Sequence, residues 1–312
     1  MARFQICILG CGSALPSLKH NTSAQIVEVH DKVFMVDCGE GTQLQLRKSH
    51  IHFQKVSAIF ISHLHGDHCF GLMGLLSTFG LLGRTAPLHV YAPSQMKELL
   101  DLQLKLFCST FEYEIVYHPL DTTKSSIIYD DKSVSVTTIP LEHRVPCCGF
   151  FFREKPNLPH INKEMVDYYE VPKSHYNNLK NGIDWITPSG KRIPFTQLTI
   201  PAEKALSYAY CSDTRYIPTL YQKIKGVDVL YHESTYIDVD EHQAYKYCHS
   251  TAKQAATVAK QAEATLLLLG HYSSKYSDES IIQKEARTVF QNSFLTNELD
   301  IIDVTKKTIC KR

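Results

Sequence analysis

No run of about twenty apolar residues occurs in the 312-residue chain, so a membrane-spanning helix has no support. The opening MARFQICILGCG lacks a leader-plus-cleavage layout; its short apolar run passes straight into Gly10, Cys11 and Gly12 and reads as a first strand. No CxxC pair occurs among the 10 cysteines (Cys7, Cys11, Cys38, Cys69, Cys108, Cys147, Cys148, Cys211, Cys248, Cys310), many of which lie inside apolar runs. That pattern indicates buried free thiols in a reducing cytoplasm, not a disulfide framework. Charge imbalance is missing as well: 33 Lys+Arg against 32 Asp+Glu leave +1, so any site for a polyanion must be a local patch. Internal repeats and low-complexity tracts are absent. With 44% hydrophobic and 21% charged residues, the composition is that of a globular protein long enough for one large domain or two small ones.

Short β-branched and aromatic runs punctuated by turn residues predict strands at QICILG, AQIVEV, VFMVDCG and SAIFISH (Ser57 to His63). Further strands are predicted at LHVYAP, EYEIVY, SVSVTTIPL, CGFFF, SYAYCSD, VDVLYHES and TLLLLGH. Helical spacing marks residues 41–50, 94–107, PTLYQKIKG and TAKQAATVAKQAEA, the last opened by Thr251 with Gln254 three residues on, a capping box. Sheets covered on their outer faces by helices follow. Between residues 154 and 199 the pattern fails, with five prolines and few core-like runs, and this stretch reads as an insertion. Its Tyr168, Tyr169, Tyr176 and Trp185 suit either a small satellite core, the default, or stacking on nucleotides.

The strongest chemical signal is Ser62-His63-Leu64-His65-Gly66-Asp67-His68: three imidazoles and a carboxylate directly after an apolar strand. On an extended tail His63 and His65 project to one side and can share an ion, while a turn at Gly66 directs Asp67 and His68 toward a second. Two ions need more ligands than this loop supplies. His143, Asp213 and His271 each follow a strand-like run and are candidates for the remainder.

The HxHxDH motif resembles the signature of the metallo-β-lactamase fold, an α/β four-layer αββα sandwich. The wider sequence resembles ribonuclease Z, the tRNA 3′-processing endonuclease family, through ILGCGSALP (8–16), NTSAQ (21–25), DCGEGTQLQL (37–46), ISHLHGDHCFGLMGLL (61–76), CSDT (211–214), HEST (232–235), HST (249–251) and GHYSSKY (270–276). The resemblance implies a single metallo-β-lactamase-like domain over 1–312 with an inserted tRNA-binding arm at 154–199. It implies two zinc ions per chain, one on His63, His65 and His143, the other on Asp67, His68 and His271, with Asp213 bridging; manganese also suits the set. Such a pair generates hydroxide near neutral pH and holds phosphate oxygens during in-line attack. Asp67 resembles the family's general base, and His249, oriented by Glu233, its proton donor to the leaving 3′-oxygen.

The implied protein is a cytoplasmic homodimer that removes the 3′ trailer of precursor tRNA, leaves a 3′-hydroxyl on the tRNA and has no membrane partner. The alternative is a bimetal phosphodiesterase of the same fold acting on small or cyclic nucleotides. The DCGEGTQ turn (Asp37 to Gln43) suits either backbone N–H groups near charge or simple support of the metal loop. Two departures stand out. The family loop resembles PxKxRN, whereas Pro16 to Asn21 carries His20 in place of arginine and Lys19 one position late. The stretch 153–192 holds only seven basic residues against five acidic ones, and its only glycines are Gly182 and Gly190, where bacterial relatives have a glycine- and proline-rich arm.

Overall fold

The computed structural model describes residues 4–107 and 112–311. The chain divides into two compact units, one of residues 1–153 and 206–312, the other of Glu154–Ala205. In the first unit β1 (Phe4–Gly10), β2 (Ala24–Val29) and β3 (Lys32–Val36) are followed by helix α1 (Thr42–Lys48), β4 (Val56–Phe60), the single turn α2 (Gly66–Cys69) and α3 (Leu72–Leu81). Then come β5 (Leu88–Pro93), α4 (Met96–Phe107), β6 (Ile115–Leu120), β7 (Ile127–Asp130), β8 (Val134–Pro140) and β9 (Cys148–Glu154).

The second unit holds two minimal antiparallel sheets, β10 (His160–Ile161) with β13 (Thr199–Ile200) and β11 (Trp185–Ile186) with β12 (Arg192–Ile193), and the short helices α5 (Lys163–Tyr168), α6 (Tyr176–Lys180) and α7 (Phe195–Leu198). It has its own core of Val166, Val171, Leu179, Ile193 and Leu198. Tyr169, Tyr176 and Trp185 pack against that core, which accounts for three of the four aromatics singled out in the sequence; Tyr168 is exposed.

The first unit resumes with β14 (Ser207–Cys211), α8 (Leu220–Lys223), β15 (Val229–Glu233), α9 (Glu241–Tyr247), α10 (Ala252–Gln261), β16 (Leu266–Gly270), α11 (Ser280–Arg287), β17 (Ser293–Leu295), β18 (Ile301–Asp303) and β19 (Thr308–Cys310). Its strands form two mixed sheets, ordered β19-β18-β1-β2-β3-β4-β5-β6 and β17-β16-β15-β14-β9-β8-β7. They face one another: Phe34 packs against Phe152 and Phe60 against Phe150, with ring centroids 5.9 and 5.4 Å apart. The outer face of the first sheet, with Cys7, Leu9, Ile26, Met35 and Ile59, is covered by Leu46 of α1, Leu72, Leu75 and Phe79 of α3 and Leu100 of α4. Helices α10 and α11 cover the other sheet. Burial on both faces explains why these strands read as near-continuous apolar runs, and the result is the four-layer αββα sandwich.

Thr251 and Gln254 form the expected capping box at α10. PTLYQKIKG forms only the single turn α8: Ile224 (φ −122°, ψ 19°) already leaves the helical path, and Gly226 follows at φ +73°. Eight cysteines are buried, but Cys310, on the edge strand β19, is exposed; Cys108 lies outside the described residues. Among the described residues no helix is long and apolar enough to cross a membrane.

Candidate metal centre

Strand β4 ends at Phe60, and the chain stays extended through His65 (φ −87°, ψ 150°) before turning into α2. His63 and His65 are thereby presented beyond the strand, and Asp67 and His68 are rotated away on the helical turn. His143 lies three residues past β8, Asp213 two past β14 and His271 directly after β16. Asp213 and His271 both adopt left-handed backbone, φ +55° and +60°, as do Asp37, Ala14 and Cys248 around them (φ +56°, +59° and +58°). Non-glycine residues in this region are uncommon and carry strain, which here turns ligand-type side chains back over the strand ends.

The structure brings all seven predicted ligands together. His63, His65, His143 and Asp213 form one donor set, and Asp67, His68 and His271 form another. In the first, His65 Nδ1 stands 3.1 Å from both His63 Nε2 and His143 Nε2, and Asp213 Oδ2 lies 3.6 Å from each of the latter. In the second, Asp67 Oδ2 is 3.6 Å from His68 Nε2 and from His271 Nε2, and Asp213 Oδ1 is 3.0 Å from both. One carboxylate thus offers an oxygen to each set.

The far side of four of the five rings is engaged. His68 Nδ1 donates to Asp37 Oδ2 at 2.7 Å, His143 Nδ1 to the Cys248 carbonyl at 2.9 Å, and His63 and His271 Nδ1 face Ser62 Oγ (3.0 Å) and Thr235 Oγ1 (2.9 Å). A ring whose proton sits on Nδ1 has only a lone pair at Nε2, so lone pairs converge where no proton bridges them. His68 Nε2 and His271 Nε2 are buried without a hydrogen-bond partner. Donor separations of 3.0 to 3.6 Å match the edges of a tetrahedron with bonds of about 2.0–2.1 Å. The residues therefore fit a pair of cations. Burial holds His63, His65 and His143 below the ordinary imidazole range. For Asp213 burial opposes ionisation, yet His271, His68 and His63 hold the carboxyl well below the usual range. Burial likewise opposes charge on His68, and Asp213 and Asp37 more than offset it. This pocket demands positive charge.

Beside the two sets, Glu233 is fully buried at the end of β15 and accepts four hydrogen bonds: from Thr214 N–H (2.7 Å), His249 Nδ1 (2.9 Å), Thr235 Oγ1 (2.5 Å) and Ser250 N–H (3.1 Å). Burial opposes the charge on His249, and the Glu233 carboxylate overrides it, raising the imidazole to about 9. His249 opens on a cleft of about 560 Å³ together with His65, Asp67, His143, Arg144, Asp213, Tyr236, Tyr247 and His271.

Residues 4–158 match a family model described as Anti-Pycsar protein Apyc1. The chain is 51% identical over 298 residues to a ribonuclease Z of Bacteroides fragilis, covering 96% of this chain and 98% of that one. The chain belongs to the ribonuclease Z family. A ribonuclease Z of Bacteroides thetaiotaomicron is 49% identical over 308 residues, covering 99% and 98% of the two chains. The crystal structure of the short form of human tRNase Z superimposes with a TM-score of 0.69 at 24% identity, over 96% of this chain and 98% of that one, a likeness of fold.

In this member of the ribonuclease Z family, Asp37 is a site residue that the motifs did not single out. Its Oδ1 accepts from Ser62 N–H (2.8 Å), and its Oδ2 accepts from Ser62 Oγ (2.9 Å) and Tyr210 Oη (2.7 Å) as well as from His68. It thereby orients a ligand ring from behind. The DCGEGTQ turn serves the loop-support reading: a Cβ on Gly39 would collide with Thr22 Oγ1 and the Asp67 carbonyl. A buried acidic residue just before a glycine turn was the available signal. Of the other orienting groups, Ser62 and Thr235 lie inside quoted motifs without being assigned that role, and only the Cys248 carbonyl left no signal.

Proposed function

We propose that the two donor sets hold two zinc ions per chain, one on His63, His65 and His143, the other on Asp67, His68 and His271, with Asp213 giving an oxygen to each. The nitrogen-rich sets suit zinc, and manganese fits the same donors. Such a pair, when bound, activates water near neutral pH and neutralises charge on the phosphoryl oxygens. The chain is a metal-dependent endoribonuclease of tRNA 3′ processing, the activity of its family. The observation that carries the two-ion reading is Asp213, whose two oxygens face different sets of imidazoles.

The chain's own residues account for the proton traffic. Asp67 takes the proton of the attacking water. Burial opposes its ionisation, but His271 and His68 hold the carboxyl below the ordinary range, and Ala14 N–H fixes Oδ2 at 2.7 Å. Glu233 binds His249 through Nδ1, which leaves Nε2 to deliver a proton to the leaving 3′-oxygen, so that the tRNA retains a 3′-hydroxyl. His249→Ala should keep two equivalents of metal and lose about 10²- to 10⁴-fold in kcat. A substrate whose leaving group needs no proton should be cleaved nearly as before.

The arm at 154–199, within the unit of residues 154–205, is read as the part that holds the tRNA, because a small core of its own with exposed Tyr168 suits a binding module. A homodimer is supported by α4, where Leu99, Leu102 and Leu106 form an exposed apolar stripe. Buried free thiols suit the cytoplasm. A cleft of about 560 Å³ also fits a single nucleotide, which is why a small or cyclic nucleotide phosphodiesterase is the second reading. Incubating the protein with precursor tRNA, a cyclic nucleotide and a generic phosphodiester, each with and without chelator, decides between them. Chelator-sensitive 3′ cleavage of precursor tRNA supports the first reading; cleavage of the cyclic nucleotide alone overturns it.

A further inference from the structure

Away from the metal ligands, the first unit buries a second titratable cluster around His20, on the loop between β1 and β2. His20 is 5% exposed. Its Nδ1 lies 3.0 Å from Glu298 Oε2 and 3.3 Å from Cys11 Sγ, and its Nε2 lies 3.1 Å from Glu279 Oε1. Both ring nitrogens therefore meet carboxyl oxygens, and an imidazolium with a proton on each nitrogen satisfies both contacts. The surrounding groups are Glu298 after β17, Glu279 at the start of α11, the thiol of Cys11 at the end of β1, Lys19 from the same loop, which pairs with Glu279, and Tyr272, whose ring centroid is 5.3 Å away. One imidazolium and one ammonium balance two carboxylates. Burial opposes the charge on His20, and Glu298 and Glu279 together raise it above the ordinary range.

The loop that His20 closes reaches the metal centre. Glu298 Oε1 also accepts from Asn21 N–H (2.8 Å), Gly12 N–H donates to the Asn21 carbonyl (2.9 Å), and Ser17 N–H donates to the His20 carbonyl (2.9 Å). A Cβ on Gly12 would stand 2.9 Å from His20 Cβ, so the glycine lets the two limbs of the loop close on each other. Ser13 N–H donates to the Tyr272 carbonyl (3.1 Å) and Tyr272 N–H to the Cys11 carbonyl (2.9 Å), which ties the loop to the segment carrying His271. At its apex Ala14, at φ +59°, gives its N–H to Asp67 Oδ2 at 2.7 Å.

We propose that His20, clamped between Glu279 and Glu298, is a positioning residue that fixes the loop of residues 11–21 so that Ala14 N–H holds the Asp67 carboxylate in place. The proposal deepens the reading of Asp67 given above and rests on it. A doubly charge-paired imidazolium does here what an arginine would do, with one difference: it can lose its proton. As pH rises through the value of His20, one of its two nitrogens becomes an acceptor facing a carboxylate, the clamp opens on one side, and the Ala14 contact loosens.

The test uses the full-length, metal-loaded protein. His20→Arg supplies a permanent cation and should keep kcat near that of the unaltered protein while leaving only the alkaline decline that His249 sets. His20→Gln, neutral at every pH, should bind two equivalents of metal but lose about 10- to 100-fold in kcat with little change in KM, the loss expected when a reacting group is misplaced by a fraction of an ångström to an ångström. Imidazole ¹⁵N chemical shifts of the unaltered protein provide a readout that needs no variant and should report a doubly protonated His20 at pH 7. A neutral His20 in that spectrum overturns the proposal, as does a His20→Gln enzyme with unaltered kcat and pH profile. A third equivalent of metal that disappears in Cys11→Ser would instead make Cys11, His20 and Glu298 a metal site and would equally overturn it. If neither the variants nor the unaltered protein cleave precursor tRNA, the reading of the metal centre fails; if only the variants change, that reading stands.

Discussion

Replacing Glu233 by glutamine removes one negative charge and leaves the shape of the side chain. In the native protein the carboxylate overcomes the burial that disfavours charge on His249 and lifts the imidazole from 6.5 to about 9. That gap corresponds to about 3 kcal/mol. Because the folded value lies above the free one, this contribution to stability is whole below pH 6.5 and is lost as pH rises through about 9. With glutamine, only the Asp213 charge still opposes burial, and the imidazole falls toward its ordinary 6.5. At pH 8 the proton-carrying fraction then drops from about nine-tenths to about 3%, so a reaction that needs His249 as acid should slow about 30-fold. Cations bound nearby lower both values together, so the separation between the two profiles is the test. The amide also turns an N–H toward Ser250 N–H or Thr214 N–H, both of which now find a carboxylate oxygen, and this should cost about 1–3 kcal/mol of stability. The assay is kcat for precursor tRNA between pH 5.5 and about 9.5, below the melting temperature of both proteins, beside a substrate whose leaving group needs no proton. Coincident alkaline limbs for the two proteins, or equal slowing on both substrates, would refute the role of the Glu233–His249 pair.

Asp213→Ala removes the oxygens that face both donor sets, so metal analysis should find fewer than two equivalents per chain and activity should fall by at least about 10³-fold. Asp37→Asn takes away the negative charge behind His68 and puts an amide N–H against one of the donor groups that Asp37 now binds; it should weaken metal retention about 10- to 100-fold in a chelator competition while the far-ultraviolet circular dichroism stays unchanged. Gly39→Ala drives a methyl into Thr22 Oγ1 and the Asp67 carbonyl; it should cost about 1–3 kcal/mol, read as a Tm lowered by several degrees, and displace the metal loop enough to depress kcat. A Gly39→Ala protein with native Tm would mean that the turn is looser than its packing indicates.

What could be read along the chain was what is encoded over short separations. HxHxDH compresses four ligands into residues 63–68, and the backbone rules for an extended tail and a turn already split them into two pairs. The capping box of Thr251 and Gln254 spans three residues, and buried strands announce themselves as apolar runs. His143, Asp213 and His271 could be nominated because each follows a strand, and strand ends are where a sheet presents a site. Their assignment to two sets came from resemblance to a family, since nothing in periodicity states which strand neighbours which. That depended on the folded chain: β14, β15 and β16 run parallel and adjacent, and left-handed backbone at Asp213 and His271 aims their side chains. Asp37 looked like part of a turn until its carboxylate met His68, 31 residues on, and Tyr210, 173 residues on. His20 looked like a departure from a motif until Glu279 and Glu298, 259 and 278 residues away, closed around it. An imidazole or carboxylate takes its charge and orientation from whatever lies within a few ångströms. For groups this far apart in the chain, that neighbourhood exists only once the sheets have ordered and packed.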